Sequence, residues 1–356
     1  MVYCKPDRNN KVILLILTIL LSFIFLSSMV QANDHFQLEE TWKMPEDFLG
    51  KIFYSIIDND AHIVGALYKT GIIMITRDKT ILFSPIGQGP SENMDVKAIF
   101  HIGNELAFVE NPERIKLFQK KEGSYEYKRS IWLESKISFY IITNGIFYDS
   151  KIFLAGFEKL AFEKKENKAA LLKVYNEEGA VLKNLIITEI KKNQRNYMMD
   201  RFVMAHNEKI YFISEDNLFI YIISADTLEE IDQIQLEKPD FYKPIPEDFY
   251  FHEGAYKSPN EFLLDNDYWK TSYSIITKAI INEGYLVIQI RTCDKNREKF
   301  AVLFYSADSF KLNKVLFIDD LLLGSKKDKY YFYAKGDPKL DEEADKPEIH
   351  VFSLQR

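Results

Sequence analysis

The sequence predicts an all-β protein, a six-bladed β-propeller whose N-terminal strand closes the last blade. Three observations carry that expectation: a short apolar strand recurs six times, a hairpin precedes each copy in phase, and a spare strand near the N-terminus matches one missing from the last repeat.

The first 32 residues read as a unit of their own. Lys5, Arg8 and Lys11 lead into the uncharged run "VILLILTILLSFIFLSSMV" and then "QAN", the pattern of a secretory signal peptide. Val30 and Ala32 supply the small residues of a cleavage site, so cleavage is expected after Ala32. The apolar run is long for a signal and nearly spans a bilayer, so an uncleaved N-terminal anchor is the rival reading, and only then is a membrane a partner. No cysteine follows the run, which argues against a lipoprotein anchor. The expected product is an exported body, periplasmic or extracellular, covering residues 33–356. Of the two cysteines Cys4 leaves with the signal and Cys293 is left alone, which excludes a disulfide framework. Stability must then come from burial in a large core. Removing the segment leaves a net charge of about −9, and a balance so acidic does not supply the basic patch that nucleic acid requires.

The repeat follows in order. Its marker strand appears as "GIIMIT" from Gly71, "RIKLFQ" from Arg114, "LLKVYN" from Leu171, "FIYIIS" from Phe219, "AVLFYS" from Ala301 and "EIHVFS" from Glu348. Each copy is rich in β-branched and aromatic residues, and several lead into turns such as "KKEGS" and "NEEGA". The hairpins ahead of them are "IIDNDAHIVGAL", "IFHIGNELAFVE", "GIFYDSKIFLAG", "VMAHNEKIYFIS", "IINEGYLVIQI" and "LLGSKKDKYYFYA". The markers stand 43, 57, 48, 82 and 47 residues apart, mostly near the ~40–50 residues of a four-stranded blade. The wide gap places an insertion at about 238–271. Crossover helices are missing, which argues against a parallel α/β sheet. "DTLEEIDQIQLEK" could be drawn as an amphipathic helix, but it falls at the fourth-strand position and is read as a strand. The chain ends on "EIHVFSLQR", a third strand, while "HFQLEETWKMP" precedes blade one. The N-terminal segment therefore supplies the outer strand of blade six and closes the ring, which removes the open edge.

Between blades one and two lies "IGQGPSE", Ile86 to Glu92. Gly87 and Gly89 permit positive φ and Pro90 fixes its own, so a stiff corner is expected. A dinucleotide loop needs a third glycine and a following helix, and neither is present. This stretch, with "VKAIFHIGNELAFVENPERIKLFQKKEG" after it, resembles the GxGPGE-type segment and next blade of secreted six-bladed β-propellers of Bacteroidetes, which are distantly similar to NHL/TolB-like propellers. Ser91 departs from the glycine usual there. The resemblance implies the fold and export, and brings no catalytic residues with it.

No Gly-x-Ser-x-Gly elbow and no His-Glu-x-x-His helix occurs, so catalytic residues and cofactors are expected to be absent. His62, His101 and His206 fall in or beside hairpin turns, where solvated histidine is the expectation. Asp58 with Asp60, Asp265 with Asp267, and "DPKLDEEADKPE" from Asp337 raise a calcium site, yet none reproduces an EF-hand, and no metal ligand is assigned. The insertion is the least repeat-like part. Tyr242, Phe249, Tyr250, Tyr256, Tyr268 and Trp269 crowd into it beside His252 and Glu253. Rigid aromatics with polar tips suit peptide or glycan surfaces, so these eight are the candidate ligand-binding residues, set against the plainer reading that they pack the insertion onto the ring.

The function expected is a non-enzymatic exported binding module for a peptide, glycan or cell-envelope protein partner. A metal-dependent hydrolase of lactonase type is the alternative, marked by two or more acidic or asparagine side chains meeting on the channel axis. A structural part of an envelope assembly is the third, marked by a broad apolar patch.

Overall fold

The computed structural model describes residues 35–44, 52–67, 70–93, 95–110, 114–134, 139–158, 168–189, 200–246, 271–293, 299–334 and 348–354. Strand β1 (Phe36–Lys43) comes first. Blade one is β2 (Ile52–Ile57), β3 (Ile63–Leu67), β4 (Gly71–Ile75) and β5 (Thr80–Pro85); blade two is β6 (Val96–Ile102), β7 (Glu105–Glu110), β8 (Arg114–Lys121) and β9 (Ser124–Trp132). Blade three is β10 (Phe139–Tyr148), β11 (Lys151–Glu158), β12 (Lys168–Asn176) and β13 (Val181–Glu189); blade four is β14 (Arg201–His206), β15 (Lys209–Ser214), β16 (Phe219–Ser224) and β17 (Glu230–Gln235). Blade five is β18 (Ile275–Asn282), β19 (Tyr285–Arg291), β20 (Phe300–Ser306) and β21 (Leu312–Ile318), and blade six has β22 (Leu321–Lys326), β23 (Lys329–Tyr333) and β24 (Glu348–Leu354).

Five sheets keep chain order and the sixth runs β1-β24-β23-β22, so the N-terminal strand does close the ring. Each marker strand is the third of its blade, and "DTLEEIDQIQLEK" holds strand β17. The burial patterns differ between inner and outer strands. Strands β3 and β4 are buried at every residue, the continuous apolar run of a strand covered on both faces, whereas β17 at the rim is exposed at all but one position. The apolar residues gather into six main clusters, each shared by two neighbouring blades. Closure rests on the cluster between blades six and one, where Trp42 of β1 joins Ile52, Ile73, Tyr331 and Val351. Strand β1 pairs antiparallel with β24 from Phe36 opposite Leu354 to Lys43 opposite Glu348. The Phe36 ring lies 5.2 Å from Phe332, 5.4 Å from Tyr330 and 5.7 Å from Phe352.

The two ends of the ring differ. At one, the first hairpins of blades three to five turn at 149–150, 207–208 and 283–284, where both residues take left-handed φ. That is the tight type I′ turn whose twist matches the strands. At the other end, where the innermost strands start, lie the longest connections, 159–167, 190–200, 236–274 and 334–347, beside short ones such as 215–218 and 319–320. Loop length in this protein therefore varies on one face.

Candidate functional site

That face surrounds the mouth of the central channel. The first strands of all six blades contribute to a cavity of about 80 Å³ near their starts, lined among others by Ser55, Ile99, Asn144, Glu215, Lys278 and Leu322. A space of this size suits a few waters or one small group, well below the ~300–1,000 Å³ of a typical small-molecule pocket. Its polar side chains mostly stitch blades together. The Thr143 hydroxyl accepts from the Arg201 N–H at 3.0 Å, and the same hydroxyl donates to the Arg201 carbonyl at 3.1 Å. Asn144 accepts from the Val203 N–H at 3.1 Å. Ser55 donates to the Leu323 carbonyl, and the Lys278 ammonium reaches past blade six to the Ser55 carbonyl at 3.0 Å. Arg201 is fully buried behind this lining, its guanidinium facing the Phe157 ring. Burial pulls its pKa down to about 10, against the opposing charges of Asp216, Glu215 and Asp200.

The insertion leaves from the mouth face, and its base is clamped. The Lys243 N–H donates to the Ser274 hydroxyl at 3.0 Å, and the Ser274 N–H donates to the Lys243 carbonyl at 2.8 Å. Two chain points that far apart in sequence, joined twice, make the segment between them a closed excursion. Tyr242 sits just below the clamp and is 8% exposed, packed in the core shared by blades four and five. Its side chain is thus part of the body of the ring. Phe249, Tyr250, His252, Glu253, Tyr256, Tyr268 and Trp269 lie outside the described residues, as do Asp265, Asp267, the Asp337 run and the N-terminal 34 residues. Burial, chiefly, raises the Tyr242 hydroxyl pKa, and its oxygen has no hydrogen-bond partner among the described residues. A buried unpaired hydroxyl costs about 1–3 kcal/mol. Tyr242→Phe should therefore hold or raise stability by ~1 kcal/mol in urea unfolding; an equal loss would mean that the insertion supplies a partner.

The corner at 86–92 is built differently from the sequence expectation. Neither Gly87 nor Gly89 has positive φ. Glu92 folds back over both: its carboxylate lies where a Cβ on Gly87 would stand, and the Gly89 N–H donates to that carboxylate at 2.7 Å. Lys116 then pins the corner to blade two by donating to the carbonyls of Gly89 and Glu92.

Asp58, Asp60 and His62 do come together at a hairpin turn, close enough to hold an ion. The Asp58 carboxylate is already engaged, accepting the N–H groups of Asp60 and His62 at 2.8 and 2.9 Å, the Tyr125 hydroxyl at 2.8 Å and the Lys120 ammonium at 2.7 Å. Burial alone would raise its pKa, but these hydrogen bonds outweigh burial and lower it. The Lys120 ammonium, which also pairs with Asp60, is the resident cation. His101 is not the solvated turn residue expected; burial lowers its pKa.

One constellation escaped sequence reading. The third residue of the marker strand is a base in three blades, and each base is paired with an acid: Lys116 with Glu110 at 3.2 Å, Lys173 with Glu158 at 2.8 Å, and His350 with Asp320 at 2.6 Å. Aligning the six marker strands reads Ile73, Lys116, Lys173, Tyr221, Leu303 and His350 at that position, which is the signal that could have found it.

No family model matches the chain, and no curated protein matches it by sequence. Solved structures do match in shape. A member of the DUF4221 family from Bacteroides vulgatus superposes with a TM-score of 0.57 at 11% identity, over 91% of this chain and 99% of that one. A candidate exported protein from Bacteroides fragilis gives a TM-score of 0.56 at 11% identity, over 90% and 96%. At such identity the likeness carries the six-bladed fold alone.

Proposed function

We propose that this propeller is an exported, non-enzymatic binding module that engages a peptide, glycan or cell-envelope partner with its mouth face. The observation that carries the reading is the concentration of long connections on that face, with the clamped insertion among them. Rigid scaffolds place recognition on variable loops. The likeness of shape to a candidate exported protein supports export, and the "IGQGPSE" stretch supports an NHL-like kinship. Within this reading Phe249, Tyr250, His252, Glu253, Tyr256, Tyr268 and Trp269 form the contact surface and Tyr242 its anchor.

The clamp makes the test clean. Replacing residues 244–273 by Asn-Gly joins Lys243 to Ser274, which already bond to each other. The melting temperature should stay within a few degrees, as expected when long surface loops are shortened. Glycan and peptide arrays probed with residues 33–356 should show ligands that the shortened protein loses. Ligands retained by the shortened protein, or none on either array, would remove the reading.

A second reading rests on Asn144, Asp200 and Glu215 lining the same cavity. These oxygen donors suit a hard cation that could act as a Lewis acid in a lactonase-type hydrolase. A melting temperature lowered by EDTA and restored by calcium would favour it, because a cation that binds only the folded form raises stability.

A further inference from the structure

We propose that His350 is a pH-sensitive clasp on the ring seam: protonated, it ties the third strand of blade six to the connection from blade five, and on losing its proton it loosens the closure made by β1. The argument begins with the repeat. Lys116, Lys173 and His350 occupy the same place in their strands, and each is held by an acid. Lysine has an ordinary pKa near 10.4 and histidine one near 6.5, so of the three only the seam blade carries a base that ordinarily titrates close to neutrality.

The geometry gives the proton a purpose. Nδ1 of His350 lies 2.6 Å from Asp320, and Nε2 lies 3.7 Å from Glu348. A cationic imidazole donates from both nitrogens; a neutral one keeps a single N–H and can serve only one acid. The Asp320 carbonyl accepts from the buried Gln289 amide at 2.8 Å, and Gln289 in turn accepts from the Leu322 N–H and the Thr277 hydroxyl. Thr277 lines the channel cavity. The same network thus joins the seam blade to blade five and the mouth. On the other side, His350 stands directly opposite Thr41 of β1, between Glu40 and Trp42. Glu40 is taken up by Lys329 at 3.3 Å and by the Trp42 indole at 2.9 Å. From β23 the facing residue is Phe332, and Phe352 of its own strand puts its ring 6.0 Å away. Asp320 and Glu348 are therefore the charges that address the imidazole.

The hydrogen bond that His350 donates to Asp320, with the charges of both acids, raises the His350 pKa above 6.5 against the opposing effect of burial. A folded-state pKa raised in this way gives a stabilisation fully present below about 6.5 and lost as pH rises through the raised value.

The experiment compares the protein with His350→Gln and His350→Lys by thermal unfolding at pH 5.5, 7 and 9. The protein should melt roughly 2–4 °C above His350→Gln at pH 5.5, and the gap should close by pH 9. The other histidines titrate equally in both proteins, so the difference isolates His350. His350→Lys, matching blades two and three, should show no gain on acidification. A gap that is the same at every pH overturns the proposal. If His350→Gln does not fold, amide exchange at Thr41 and Trp42 can be followed in the unaltered protein across the imidazole titration seen by NMR. Exchange should quicken as His350 loses its proton, and exchange that ignores the titration overturns the clasp equally.

Discussion

Removing residues 33–45 unfolds the whole ring: that is the expected result of truncating β1, with a loss on the order of the entire ~5–15 kcal/mol that holds a domain together. Strand β1 covers the full length of β24 and inserts Trp42 into the cluster between blades six and one. Phe36 closes the aromatic group of Phe304, Tyr330, Phe332 and Phe352. Losing one buried aromatic side chain typically costs about 3–5 kcal/mol, and the truncation removes buried Trp42 and half-buried Phe36 with the strand that holds them. Circular dichroism of the truncated chain should show no cooperative transition. A sharp transition within about 5 °C of the intact protein would show that the seam contributes little.

The second large effect is expected inside blade three. Lys173 is fully buried, bonded to Glu158 and set 5.1 Å from the centre of the Phe139 ring. The other oxygen of Glu158 accepts the Ala170 N–H at 3.1 Å. Glu158→Ala takes a carboxylate away from a buried ammonium and should cost about 3–5 kcal/mol in urea unfolding. The double change Glu158→Leu with Lys173→Met should recover most of that loss, because replacing a buried pair by apolar residues is often close to neutral. A single mutant that loses under 1 kcal/mol would mean that water reaches the lysine.

The blades were legible because each strand repeats its own chemistry. "GIIMIT" is a continuous apolar run and its counterparts are mostly apolar, and these segments are third strands buried at their centres. The seam was legible too, since a ring missing one strand must borrow it. The buried ion pairs were not. Glu110 lies six residues before Lys116, Glu158 lies fifteen before Lys173, and Asp320 lies thirty before His350, because the connections between these elements differ in length while the space between the side chains does not. Gly87 misled for a related reason: a glycine beside a folded-back carboxylate looks in sequence like one required by positive φ. Tyr242 shares the aromatic composition of the insertion, and only the clamp at Lys243 and Ser274 separates the anchor from the excursion it supports.

The pairing of Phe36 with Leu354 brings both chain ends together beside the short turn at Asp328. They leave the molecule from the end opposite the channel mouth. An attachment made through the N-terminus would act at this end, while the connections 159–167, 190–200, 236–274 and 334–347 join their strands at the other. A sensor chip that captures the protein through its N-terminus therefore holds it by the end away from the channel cavity.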